Sequence, residues 1–115
     1  MNYFIYLNGK TVPEEQAYIS IKDRGFLYGD GIFETIRAYN GNPFRLDAHL
    51  DRLFASAKAL KIHLNHTSTQ LHSAVQNLLT LNGLADAYIR ITLSRGTSTT
   101  EGFQPTLIIE TKPLT

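Results

Sequence analysis

The sequence predicts an α+β domain of two layers, a mainly antiparallel sheet with two helices on one of its faces. Three observations lead there. Asn8-Gly9 and Asn40-Gly41 each interrupt strand-like runs, and apolar residues recur at helical spacing only between residues 47 and 82. Two further strand-like runs, 87–93 and 106–111, come after both helices. The resulting order, β-β-β-β-α-α-β-β, lacks the strand–helix–strand alternation of a doubly wound parallel sheet.

Residues 3–7 are apolar and aromatic, stop at Asn8-Gly9, and resume at Thr11-Val12 before Pro13, which predicts a hairpin closed by a type I′ turn. Residues 17–21 alternate weakly, but Asp23-Arg24-Gly25 and Gly29-Asp30-Gly31 break the pattern and predict a loop with aromatics inside it. From 32 to 39 the alternation is strict: Ile32, Glu34, Ile36 and Ala38 fall on one side, Phe33, Thr35, Arg37 and Tyr39 on the other. Asn40-Gly41 then turns the chain into a returning strand over 43–46.

Asp47 is an acceptable N-cap for a helix running to about Ile62, whose apolar stripe is Leu50, Leu53, Phe54, Ala57 and Leu60. Thr67-Ser68 caps a second helix carrying Leu71, Val75, Leu78 and Leu79, and Asn82-Gly83 ends it. Strands at 87–93 and 106–111 follow, separated by a polar, glycine-containing loop over 95–105.

The chain has 115 residues, 43% of them hydrophobic and 18% charged, which fits one globular domain. Its formal net charge of +1 gives no field to hold a nucleic acid or an anionic membrane by charge alone. Cysteine is absent, which removes disulfides, thiolate metal sites and cysteine nucleophiles. The start, Met1-Asn2-Tyr3-Phe4, lacks the basic and apolar regions of a signal peptide, and no apolar run reaches the ~20 residues that cross a bilayer. A cytoplasmic location is the expectation.

Several residues are candidates for chemistry, each with a plainer alternative. Three glycines and three aromatics fall within residues 24–34, where Tyr28 can aim its phenol at a carboxylate or, with Phe33, simply cap the sheet core. Arg52 borders the helical stripe, suited to a phosphate or to an intrahelical pair with a nearby acid. Tyr88 and Arg90 share a strand face with Thr92. They can hold a carboxylate together, or Arg90 can pair across strands with Glu34 or Glu110. Arg95 is a further anion ligand in the loop beyond. No His, Asp or Glu cluster stands at ligand spacing, so no metal is assigned.

Taken together, Asp23-Arg24-Gly25-Phe26-Leu27-Tyr28-Gly29-Asp30-Gly31-Ile32-Phe33-Glu34, then Arg45-Leu46 with His49 and Arg52-Leu53, then Tyr88-Ile89-Arg90 and Ser94-Arg95-Gly96, resemble the class IV pyridoxal-phosphate enzymes. That family holds branched-chain aminotransferases, D-amino-acid aminotransferases and aminodeoxychorismate lyases. The match runs in order over almost the whole chain and covers the family's small N-terminal domain.

The resemblance implies pyridoxal 5′-phosphate as cofactor, with Arg52 on its phosphate and Tyr28, Phe33, Tyr88 and Arg90 lining the substrate pocket. Tyr88 and Arg90 match the carboxylate-holding pair of branched-chain enzymes. Thr100-Glu101-Gly102 occupies the place of the Arg-x-His motif of D-amino-acid enzymes, which favours an L-amino-acid transaminase, whereas Thr35 replaces the glycine usual in branched-chain members. The family's Schiff-base lysine belongs to a C-terminal domain, and Lys10, Lys22, Lys58, Lys61 and Lys112 stand at no matching position. The expectation is therefore a partial chain, inactive alone, of a homodimeric aminotransferase acting on an amino acid and a 2-oxo acid. The alternatives are an aminodeoxychorismate lyase, eliminating pyruvate, and a stand-alone binding module without chemistry.

Overall fold

The computed structural model describes residues 3–114; Met1, Asn2 and Thr115, on which the readings of the chain's start and end partly rest, lie outside the described residues. Six strands form one sheet in the order β2-β1-β6-β5-β3-β4, every pair antiparallel. They are β1 (Phe4–Leu7), β2 (Lys10–Pro13), β3 (Gly31–Tyr39), β4 (Asn42–Pro43), β5 (Ala87–Thr99) and β6 (Gly102–Pro113). Three helices accompany them, α1 (Arg24–Tyr28), α2 (Leu46–Leu60) and α3 (Ser68–Leu81), with a single 3₁₀ turn at Glu14–Gln16.

The α+β reading holds, and α2 and α3 pack against the sheet. Ile36 and Ala38 of β3, Ile89, Ile91 and Leu93 of β5, and Leu107 and Ile109 of β6 meet Leu50, Leu53, Leu71, Val75 and Leu78 of the helices in one buried cluster. Both turn predictions are met as well. Asn8 and Gly9 have φ of 51° and 91°, and Asn40 and Gly41 of 54° and 78°, the positive pair a type I′ turn requires. Thr67 caps α3 through a reciprocal capping box with Gln70.

Four expectations are corrected. The segment read as a loop around residues 24–28 contains the single turn α1, started by the Asp23 side chain. The predicted strand over 43–46 ends at Pro43, because Arg45 adopts a left-handed conformation (φ 57°) and α2 begins at Leu46, two residues before the helix that Asp47 would cap. α2 ends at Leu60, where Lys61 turns left-handed, rather than at Ile62. The predicted loop over 95–105 is instead a continuation of the β5–β6 hairpin, which turns at residues 100–101. A bulge between Ser94 and Thr97 lets two residues of β5 face one of β6, and Gly96 (φ 77°) occupies it.

Candidate functional site

β3 sorts its side chains as the alternation predicted, with Glu34, Ile36 and Ala38 buried under the helices and Phe33, Thr35, Arg37 and Tyr39 on the open face. The pairing with β5 and β6 extends that open face into three rows: Phe33–Thr92–Ile108, Thr35–Arg90–Glu110 and Arg37–Tyr88–Lys112. Arg90 is central. Its guanidinium carbon lies 4.0 Å from the centroid of the Phe33 ring, a cation–π contact, and its Nε makes only a long 3.4 Å bond to the Thr92 hydroxyl. Arg90 forms no ion pair among the described residues, so the plainer alternative of a pair with Glu34 or Glu110 is not realised. Tyr88 lies between two cations, Arg37 and Lys112, 5.3 and 5.7 Å from its ring.

Arg90 borders two shallow grooves. One, of about 500 Å³, is lined by Thr35, Tyr88, Arg90, Glu110, Thr111 and Lys112. The other, of about 390 Å³, runs between Phe33, Arg90 and Ile108 on the sheet and Gly25, Phe26 and Gly29 of the α1 segment. Tyr28 lines neither. Its ring stacks on the Arg24 guanidinium at 4.8 Å and is 68% exposed. Phe33, Tyr88 and Arg90 are thus brought together, and Tyr28 stands apart from them.

Arg52 sits on the other side of the sheet. Its Nε and Nη2 donate to Glu34 Oε2 and Oε1, each at 2.8 Å, a two-pronged pair that joins α2 to β3 rather than the intrahelical pair weighed from sequence. His49 Nδ1 lies 2.7 Å from the same Oε1. The Glu34 side chain is 8% exposed and that of Arg52 67%. Hydrogen bonds from Arg52 lower the Glu34 pKa most; burial works against them, and His49 adds to the lowering. Among the described residues Nη1 of Arg52 makes no hydrogen bond, and the side chain is largely exposed, a geometry that suits a phosphate. Sequence reasoning named Glu34 only as a possible partner of Arg90 and missed its contacts with Arg52 and His49. The signal was present: a carboxylate on the apolar side of a strict alternation is a buried charge in need of partners.

Arg95 does not face the grooves as a spare cation. It donates to Asp30 Oδ2 (2.8 Å) and to the carbonyls of Leu60 (2.9 Å) and Lys61 (3.3 Å), which close the end of α2. Asp30 also accepts from Arg24 Nε at 3.0 Å, and the two arginines hold its carboxyl below the ordinary range.

A family model described as amino-transferase class IV matches residues 31–115. The chain belongs to the class IV aminotransferase family. Among curated proteins, this class IV chain is 51% identical over 92 residues to a putative branched-chain-amino-acid aminotransferase of Methanocaldococcus jannaschii, covering 80% of this chain and 32% of that protein. It is 40% identical to a D-alanine aminotransferase of Staphylococcus epidermidis over 92 residues, 80% of this chain and 33% of the relative. It is also 42% identical to an aminodeoxychorismate lyase of Bacillus subtilis over 96 residues, 82% and 33% of the two chains. The chain therefore spans about one third of the length of the curated relatives it matches. Among solved structures, it superimposes on the branched-chain aminotransferase of Thermoproteus uzoniensis, in complex with norvaline, with a TM-score of 0.89 at 31% identity, covering 100% of this chain and 42% of that one. A further branched-chain aminotransferase, in complex with pyridoxamine 5′-phosphate, gives a TM-score of 0.89 at 28% identity, over 98% of this chain and 41% of the other.

Proposed function

We propose that this chain is the N-terminal small domain of a pyridoxal-phosphate-dependent aminotransferase. Its full-length parent, a cytoplasmic homodimer, transfers an amino group from an amino acid, a branched-chain one, to a 2-oxo acid. The observation that carries the reading is Arg90: a guanidinium on an open sheet face, steadied by the Phe33 ring and without a carboxylate partner among the described residues, is suited to receive a substrate carboxylate. Phe33 and Tyr88 flank it with apolar surface for the rest of the substrate. Among the described residues no helix is long and apolar enough to cross a membrane.

The residues present fit one end of the cofactor. Arg52 would hold the phosphate through the edge Glu34 leaves unused, and Glu34 with His49 would keep that guanidinium from swinging away. Pyridoxal phosphate, when bound, supplies the electron withdrawal that makes the substrate α-proton removable. What this chain adds is orientation: one cation for the phosphate, another for the substrate carboxylate. Tyr28, exposed and stacked on Arg24, is proposed as a further substrate-facing residue.

The test is to supply the full-length protein and cofactor with an amino acid and a 2-oxo acid. Formation of the new amino acid supports the proposal. Pyruvate release from aminodeoxychorismate with no acceptor present would replace it with the lyase reading, to which the Bacillus subtilis relative gives support. A full-length protein that takes up no cofactor and performs neither reaction would be a binding module.

A further inference from the structure

α1 is one turn long and buries none of its residues, so it has no stability of its own. It is held from both ends, and both attachments lead to neighbouring residues at the bulge of β5. At its start, the Asp23 carboxylate accepts from the Gly25 N–H (2.8 Å), the Ser94 hydroxyl (2.7 Å) and the Thr106 hydroxyl (2.6 Å). Just past its end, Asp30 accepts from Arg95 and Arg24. The fit beneath it leaves no slack, since a Cβ on Gly25 would stand 2.7 Å from the Ser94 Cβ and one on Gly31 2.7 Å from the Leu93 carbonyl oxygen.

Asp23 is 2% exposed. Burial pushes its pKa up, but the bonds from Thr106, Ser94 and the backbone of Gly25 and Phe26 outweigh that and hold it low. So much anchoring serves a turn whose aromatic residues face outwards. Phe26, 66% exposed, lies in the α1 wall of the groove that Phe33, Ile108 and Arg90 border on the sheet side. An exposed ring on a clamped turn does no packing inside the fold. Its apolar surface is available to whatever enters beside Arg90.

We infer that Asp23 is a positioning residue that fixes Phe26 as the apolar wall of the Arg90 groove, and that this wall makes the groove discriminate between carboxylate ligands by the length of their apolar tails. The inference rests on the proposed role of Arg90 as carboxylate receptor and adds the element that measures the tail. Asp23 also borders this groove, but its carboxylate is buried and already accepts from Gly25, Ser94 and Thr106, so it acts through Phe26.

The experiment measures binding of 4-methylpentanoate and of acetate to the full-length, cofactor-loaded protein by titration calorimetry. Phe26→Ala is expected to lower the preference for the longer acid about tenfold, with little effect on acetate. Asp23→Asn should lower the same ratio by a smaller factor and add nothing in the Phe26→Ala background, because the two act as one unit. Thr106→Val, which removes one anchor and leaves the helix cap, makes the same comparison if Asp23→Asn does not fold. An unchanged ratio in Phe26→Ala, an equal loss for both acids in Asp23→Asn, or additive effects would overturn the inference. Arg90→Ala tests the underlying reading separately, since it should weaken both acids alike. If Arg90→Ala changes neither, the carboxylate reading fails and the inference falls with it.

Discussion

Arg90 and Glu110 stand directly opposite one another on β5 and β6, yet they form no ion pair; the Arg90 guanidinium turns instead to the face of Phe33, 4.0 Å away. Cross-strand neighbours of opposite charge ordinarily pair. Arg90 thus remains a cation with unspent donors. Truncating it should raise KM for the amino acid about 10- to 100-fold, the loss of a charge-assisted bond of about 1.5–3 kcal/mol, while leaving the fold intact. Lysine should restore little, lacking the planar fork. Steady-state kinetics on the full-length Arg90→Ala and Arg90→Lys enzymes make the check, and an unchanged KM would remove Arg90 from the site.

Arg52→Ala should weaken pyridoxal phosphate binding by at least about tenfold, read by absorbance titration of the full-length apoenzyme. Glu34→Gln keeps the cation but loosens its hold, so the loss should be smaller and in the same direction. Equal affinity in all three proteins would show that the free edge of Arg52 meets no phosphate.

The Glu34 carboxyl titrates below its ordinary value of 4.5, so the folded state binds its proton less readily than the unfolded chain does. Its contribution to stability is complete above the unfolded value and disappears as pH falls from there through the lowered folded value. The melting temperature should therefore drop on acidification below about pH 4.5, and Glu34→Gln should flatten part of that drop. A Gln variant whose acid profile parallels the parent's would assign the loss to other carboxylates, Asp23 and Asp30 among them.

Asn82 does more than end α3. Its amide accepts from the Phe4 N–H (2.7 Å) and donates to the Phe4 carbonyl (3.1 Å) and the Thr111 hydroxyl (2.8 Å), fastening the helix end to β1 and β6. Asn82→Ala should cost about 1–3 kcal/mol in denaturant unfolding, because it leaves buried polar groups without partners. A loss below about 0.5 kcal/mol would mean that water replaces the amide.

Gly96→Ala should be among the most damaging single substitutions. Its Cβ would collide with the Gln104 carbonyl oxygen, at a φ of 77°. Positive φ alone costs a non-glycine residue about 1–3 kcal/mol, and the clash adds to it. Thermal melting of the variant tests this, and a near-wild-type Tm would show that the bulge can relax.

Which elements were legible follows from where their determinants lie. The face assignment of β3 and β5 was readable because each residue's side is set by its parity along the strand, and α2 and α3 because their apolar residues repeat within a few turns. α1 was not. Its five residues bury nothing, and it exists through bonds from Asp23 to Ser94 and Thr106, 71 and 83 residues away. The outer half of the β5–β6 hairpin was hidden for a related reason: Arg95, Gly96 and the polar residues beyond look like loop, and the bulge that admits them becomes apparent only when β6 lies alongside. Of the candidate site, Tyr88 and Arg90 were grouped by parity along one strand, whereas Phe33 joined them only through the family resemblance. The separation of Tyr28 from them depends on α1, and the Glu34–Arg52 fork joins two elements that the sequence connects only by a buried charge.

Phe33 and Glu34 are consecutive, and on an extended strand that sends one to each side of the sheet. One peptide bond therefore separates the residue that steadies Arg90 from the one that steadies Arg52. The two cations are mechanically geared: sliding β3 along its neighbours moves both anchor points by the same distance, while a shift of a single residue exchanges them. Within the run from Gly31 to Glu34, an inserted or deleted residue would carry one of the two anchors to the wrong side of the sheet.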